Sequence, residues 1–506
     1  DYSGVYYGPC HCAACQRAFG EMYGLPLPRV EDMADPIYRK YRVFQRQVVN
    51  DLNARVQAII HRLRPEICID RDASGSGYIR QESNTALDRP LPHWQYSASA
   101  NTKWAVSSYP GMISSNTTVD FIDFPVRHVA VSPHQQVLRL AQSLANGGAL
   151  DYYLIGRLDN HADRSGFAPI RRLFAYHAAH GEEYVGLRPR AEIALLDDSR
   201  GNSDECRGWY RVLSEHHHLF DLPQVEAAID LPWERYRAMI LPDLRYLSDA
   251  LAARLDRFVV EGGVLIASGQ AGFCDQDYEP RPAPALQCLG MGRVEQVRHD
   301  MRGSYLLLDD KTNFPRFADT DLVYLDGDYI YYQPIEPATP FMRLMPPQPF
   351  GPPERCYGET VLARPGCVLR PYGQGRAIYI PWMPGALFHR QGHLNTGNWL
   401  ADVLEGVAGL RPVAGNLPPQ VEVTLGEQAS RTGWLLHLVN ASGHLGNSFY
   451  APLPLCDLWV EIACPSAPQA VQSLVQGAEV PWHHHDGRLR LEIARLELFE
   501  ALRIGW

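Results

Sequence analysis

The chain has 506 residues, of which 46% are hydrophobic and 21% charged, and it carries a net charge of −10. This length supports two to four domains with a sizeable core. The acidic balance, without any Lys/Arg run, excludes a nucleic-acid binder, and no apolar stretch reaches the roughly 18 residues of a membrane-spanning helix. Aromatic residues are plentiful, with 10 Trp, 26 Tyr and 16 Phe; flat rings build interfaces and pack on the C–H faces of sugars. The 11 cysteines are an odd number, and outside one cluster they stand singly. The first residues show no basic and apolar leader pattern. Together these features predict free thiols, a reducing compartment and a cytoplasmic protein.

The stretch "GPCHCAACQRAFG", residues 8–20, puts Cys10, Cys12 and Cys15 within six positions. Such crowding suits a metal clip, a redox switch or a disulfide knot. Thiolates favour tetrahedral zinc, and three cysteines plus His11 are on hand, where a closed site wants four ligands. Three reduced thiols without metal are the plain alternative. No recognised redox context surrounds the cluster, which weakens a redox role.

Asp35-Pro36 is an N-cap followed by a proline at the first helical position. Behind it Tyr38, Tyr41, Phe44, Val48, Val49, Leu52, Val56, Ile59, Ile60 and Leu63 fall at helical spacing. Residues 67–70 read as a buried strand ending in Asp70 and Asp72. "YIRQESNTA" (78–86) follows as a strand, then a helix near Ser97–Ser107, then "MISSNTTVDFIDF" (112–124) as a third strand. Ser132-Pro133 caps a helix that Gly147 ends, and "ALDYYLIG" (149–156) is a fourth strand. This alternation is that of a parallel α/β fold.

From about 191 the alternation restarts. "AEIALLDDS", "YRAMILPDLRYL" and "GVLIASG" read as buried strands, and Ser248 caps a helix closed by Gly262. This predicts a doubly wound α/β unit over 191–408. Gly373 and Gly375 in "GQGR" read as a hairpin turn, because the strand-then-helix context of a nucleotide loop is missing. From 409 to 506, strands such as "VEVTL" and "GWLLHLVN" between turns predict a β-sandwich. The tracts His216–His218 and His483–His485 look like metal ligands but are read as solvated faces.

The cysteine cluster and the segment after it resemble a stretch of the family 42 β-galactosidases. There such an element follows the fourth strand of a (β/α)8 barrel and helps hold a structural zinc, the fourth cysteine coming from earlier in the barrel. "RQESNTALDRPLPHWQYSAS", "DFPVRH", "LAQSLANGGALDYYLIG" and "AEIALLDDS" extend the resemblance to the hypothetical glycoside hydrolase group six, barrel proteins with a middle domain like the β-galactosidase trimerisation domain. The resemblance makes 1–190 a barrel segment holding strands 4–8 only, with Asp1 at the end of strand four. Asp70, Glu82, Asp123 and Leu154 mark strands five to eight. It implies a glycoside hydrolase that releases a terminal sugar from a glycan or glycoside. It further implies structural zinc at Cys10, Cys12 and Cys15 with no catalytic cofactor, and a homo-oligomer, dimer or trimer, with neither nucleic acid nor membrane as partner.

Barrel active sites lie at the C-terminal strand ends. There Glu82, Asp123, His128 and Asp1 are the catalytic candidates, and Arg80, Asn84, Arg127, Arg157, Asp159, His161 and Trp94 the substrate-binding ones. Glycoside hydrolysis needs two carboxyl groups, and Glu82 with Asp123 is the favoured pair. Each has a plainer reading: Glu82 as an ion pair with Arg80, Asp123 as a loop cap, Asp1 as a frayed terminus, His128 as a hydrogen-bonded core histidine. Three arginines after strands would also suit an acidic sugar, with Asp123 and His128 as the His/Asp pair of a sialidase-like enzyme. A carbohydrate-binding pseudoenzyme is the third reading.

Overall fold

The computed structural model of the protein describes residues 8–70, 77–89, 91–348, 350–352, 354, 358, 360–428 and 433–506. Helix α1 (Ala13–Tyr23) and helix α2 (Pro36–Leu63) open it. Asp35 caps α2 as its sequence predicts, accepting from the Ile37 N–H. Phe19, Tyr38, Tyr41 and Phe44 form a small aromatic core between the two helices. The predicted apolar stripe is buried only in the first half of α2. Val56 and Leu63 in the second half are 45% and 66% exposed. The buried half docks elsewhere through ion pairs, Arg39 to Glu279 and Arg46 to Asp277, each at 2.9 Å.

Next come β1 (Tyr78–Ser83), α3 (Ser97–Ser108), β2 (Ile113–Val119), α4 (Pro133–Ala145), β3 (Ala149–Tyr153) and α5 (Phe167–Tyr184). The three strands are parallel, in the order β1-β2-β3. Period-two alternation splits their side chains. Ile79, Ser83 and Asn116 are buried towards the helices, whereas Arg80, Glu82, Thr117 and Asp151 belong to the opposite, open face. The strand expected at 67–70 shrinks to a single parallel bridge between Asp70 and Tyr78, and Asp1 and Asp72 lie outside the described residues. Among the described residues, the segment expected to be part of a barrel is therefore a three-stranded parallel sheet with its helices. The third predicted strand also ends earlier than its sequence suggests, at Val119 and not Phe124.

The second unit is a seven-stranded sheet. Five neighbours are parallel, in the order Gly375–Ile380, Val264–Ser268, Ala238–Leu241, Ile193–Leu195, Phe220–Asp221, and two antiparallel strands extend one edge. Ala238 and Ile240 enter one core, Met239 and Leu241 the other; a sheet covered on both faces is the doubly wound arrangement its sequence predicts. Gly373, at φ 62°, turns the hairpin between Cys367–Tyr372 and Gly375–Ile380. The third unit packs a six-stranded and a four-stranded antiparallel-rich sheet over one apolar core. Its six-stranded sheet takes an edge strand from Arg188–Pro189, which pairs with Gly426 and Glu427, so this short strand serves the sandwich and not the barrel segment. No helix of the described residues is long and apolar enough to cross a membrane.

The His216–His218 tract is not a solvated face. His218 is 2% exposed, and burial pushes its imidazole down to about 3. The tract closes the helix Ser203–Glu215, with His217 left-handed at φ 58°, and the carbonyl of His217 takes the Val413 N–H. In the second tract His483 and His485 are exposed on the strand Trp482–His485.

The helices Ser203–Glu215 and Pro384–Gln391 meet backbone to backbone. A Cβ at Gly208 would come within 1.9 Å of the Gly385 carbonyl oxygen. Gly208→Ala should therefore lower stability by about 2–3 kcal/mol through overpacking, read as a fall in the denaturant midpoint. An unchanged midpoint would show that the two helices are not in this contact.

Candidate active site

The register aligns Glu82 with Thr117 and Thr117 with Asp151. Glu82 and Asp151 thus flank one threonine on the open face, near the C-terminal ends of the strands. Arg80, two residues before Glu82, joins them: its Nη1 donates to Glu82 at 3.1 Å and its Nε to Asp151 Oδ2 at 3.0 Å. Thr117 donates to the same Asp151 oxygen at 2.6 Å, and Ser115 does so at 3.4 Å. Oδ1 of Asp151 has no hydrogen-bond partner among the described residues. The Glu82 side chain is 43% exposed and that of Asp151 26%, so both meet solvent. The backbone of Glu82 is held from behind, because Asn101 donates to its carbonyl at 3.0 Å.

Asp123 is committed to the backbone. It accepts from the Leu87 N–H at 2.9 Å and the Phe124 N–H at 2.7 Å, and so ties the loop after β1 to the loop after β2. Thr85 reinforces this tie by donating to the Ile122 carbonyl. His128 and Arg127 are exposed; Arg127 donates to the Phe124 carbonyl, and no hydrogen bond joins His128 to Asp123 among the described residues. Beside these strands a different His/Asp pair forms, His161 with Asp120, 3.1 Å apart and 6% and 1% exposed. Tyr152 at 2.6 Å and Gln136 at 3.2 Å also donate to Asp120. Burial, and then the hydrogen bond to Asp120, push the Tyr152 hydroxyl well above its ordinary range. His161 is thus an internal brace and not a surface ligand for substrate.

Arg157 is spent on Asp159, held bidentately at 3.0 and 2.5 Å. Trp94 packs edge-on against Tyr96, Tyr210 and His389; none of its ring contacts reaches Arg80 or Glu82. Asn84 is half-buried, and its Oδ1 has no partner among the described residues. Asp151 is not among the candidates its sequence offers, since it lies inside the strand and not at its end. Its period-two position, on the same face as Ala149 and Tyr153, is the signal that marks it.

The thiol cluster stands apart from these strands. The sulfurs of Cys10, Cys12 and Cys15 all lie within 4.8 Å of one another. Cys12 caps α1, accepting from the Cys15 N–H, and this bond is the main reason its thiol is lowered to about 7. Burial and the neighbouring thiols push Cys15 up to about 12. The Cys10 N–H donates to the Tyr41 hydroxyl at 3.1 Å, pinning the loop to α2. A zinc tetrahedron with bonds of ~2.3 Å has sulfur–sulfur edges of ~3.8 Å. A contraction of about 1 Å at most therefore fits these sulfurs to one ion, with the fourth position left to another donor.

Residues 187–289 match the model of the β-galactosidase trimerisation domain. No curated protein matches the chain. Among solved structures, an α-L-fucosidase isoenzyme 2 from Paenibacillus thiaminolyticus is similar at 20% identity and TM-score 0.73, over 98% of this chain and 76% of that one. A β-galactosidase from Bacillus circulans sp. alkalophilus is similar at 14% identity and TM-score 0.71, over 99% and 78%. Gan42B, a GH42 β-galactosidase from G. stearothermophilus, follows at 16% and 0.68, over 99% and 77%. At these identities the likeness establishes the fold. Beyond the fold, the similarity to the β-galactosidase trimerisation domain is confined to residues 187–289.

Proposed function

We propose that the chain is an exo-acting glycoside hydrolase whose sugar site is the open face of β1–β3, read as part of a (β/α)8 barrel. The observation that carries this is the row Glu82–Thr117–Asp151 bridged by Arg80. It offers two solvent-reaching carboxyl groups on one face, the minimum equipment for general acid and base or nucleophile. Asp151 is oriented through one oxygen, which leaves the other to meet a sugar hydroxyl or a water. Glu82, less encumbered, is the group that delivers a proton to the glycosidic oxygen. The acidic-sugar reading loses its main support, since Arg80 is shared between two carboxylates and Arg157 is held by Asp159.

Three variants separate the roles on a panel of nitrophenyl and methylumbelliferyl glycosides. Glu82→Gln and Asp151→Asn should fold normally and each lower turnover about 10²-fold or more. Asp123→Asn should keep turnover within a few fold and instead lose about 1 kcal/mol of stability, the worth of a capping bond. If Asp123→Asn abolishes turnover while Asp151→Asn does not, the pair is Glu82 with Asp123. Glycoside binding with no hydrolysis by any form would make the chain a carbohydrate-binding relative.

The thiol cluster is proposed to hold one structural zinc, with Cys10, Cys12 and Cys15 as ligands and no part in catalysis. Zinc there would crosslink the loop at Cys10 to the first turn of α1. Elemental analysis should find about one zinc per chain, as expected of a structural site, and Cys12→Ser with Cys15→Ser should remove it. Less than about 0.2 zinc per chain in metal-replete protein would overturn the assignment.

The trimerisation-type segment 187–289 is proposed to carry a homo-oligomer contact, by fold-level analogy. Light scattering should give a dimer or trimer mass across the micromolar range. A monomer at every concentration contradicts it.

A further inference from the structure

At the ends of β2 and β3 opposite to Glu82, the protein holds a cavity of about 870 Å³, within the size range of small-molecule sites. Its walls are largely apolar and aromatic. Tyr109, Ile113 and Tyr184 come from the barrel segment, and Tyr236 from the second unit. Three features distinguish it from a packing fault. Ser114 lines it and is 4% exposed, yet its hydroxyl has no hydrogen-bond partner among the described residues; leaving such a group unpaired costs about 1–3 kcal/mol. Gly181 lines it from α5, and a Cβ built there meets nothing within 4 Å. Arg188 lines it with no ion pair for its guanidinium among the described residues.

The charge at the mouth is unusual for this chain. Arg188 and Arg235 also line an adjoining groove of about 520 Å³, which gathers Arg190, Arg237, Arg411 and Arg488. Arg190, Arg237 and Arg488 are neutralised by Glu427, Glu192 and Glu461, and Arg235 by Asp221. Arg188 and Arg411 remain without an acidic partner among the described residues, in a chain of net charge −10. An apolar chamber that opens beside uncompensated guanidinium groups favours a molecule with an apolar body and a negative head.

We propose that this chamber is a second binding site, separate from the sugar site, for a small aromatic acid. Its ring lies among Tyr109, Tyr184 and Tyr236, and its carboxylate meets Arg188. Ser114 is then satisfied by the ligand or by a water the ligand holds. The site sits between the barrel segment, the second unit and the first strand of the sandwich, so occupancy stiffens the junction of all three.

Calorimetry with 2-naphthoate, its uncharged analogue 2-naphthylmethanol and inorganic sulfate tests this on the full chain. Wild-type protein should bind 2-naphthoate saturably at one site per chain, bind 2-naphthylmethanol at least about tenfold more weakly, as befits one lost charge-assisted contact, and show no binding of sulfate alone. Gly181→Phe should place a ring in the part of the chamber that Gly181 lines and weaken naphthoate binding at least about tenfold. Arg188→Gln, at an exposed position that leaves the fold unaffected, should bring naphthoate down to the affinity of the alcohol. Absence of one-site naphthoate binding to the wild type overturns the proposal. So does naphthoate binding that is unchanged in Arg188→Gln, whether or not Gly181→Phe folds.

Discussion

Helix α4 is the constraint on which the geometry of the strand ends depends. Every residue from Gln135 to Ala145 is buried, although Gln135, Gln136, Arg139, Gln142 and Ser143 are polar. Burying such groups is tolerable only when each finds partners, and the partners found are the parts that surround the candidate site. Arg139 donates to the carbonyl of Ser83, the neighbour of Glu82. Gln136 donates to Asp120, the first residue after β2. Gln142 reaches across to Glu422 of the sandwich at 2.6 Å, and Thr424 donates to the last carbonyl of the helix. One helix thereby holds the ends of β1 and β2 and fastens them to the third unit.

This arrangement explains why carboxylates at the strand ends differ in character. Asp120 is turned inwards and consumed by Gln136, Tyr152 and His161. Asp123 is consumed by backbone N–H groups. On the open face the donors Arg80, Ser115 and Thr117 crowd onto Asp151 Oδ2, which leaves Asp151 Oδ1 without a partner among the described residues. The chemistry follows from what the packing leaves unsatisfied.

Local signals were legible in the sequence where they are self-contained. Asp35-Pro36, Ser132-Pro133 and Ser248 begin helices where their capping chemistry says they should, and the Gly373 hairpin follows from its turn residue. The third strand was overextended because "DFIDF" keeps an apolar alternation after Val119; the chain turns there because Asp120 is drawn inwards by groups on α4, β3 and the loop holding His161. Histidine runs are usually solvated, whereas His217 here meets Pro418 and Val413 and His218 lies beside Glu405. The exposed second half of α2 had an apolar period as good as the first, and periodicity says which face is apolar without saying what covers it. Asp151 and its link through Arg80 to Glu82 require the register of three strands separated by helices, which no local window contains.

The most direct measurement of the central claim is a crystal structure of the protein soaked with an iminosugar that it is shown to bind. The account predicts the ring on the open face of β1–β3, with its nitrogen or a hydroxyl within hydrogen-bonding distance of both Glu82 and Asp151. An iminosugar bound elsewhere, with the Glu82–Arg80–Asp151 row untouched, would contradict it.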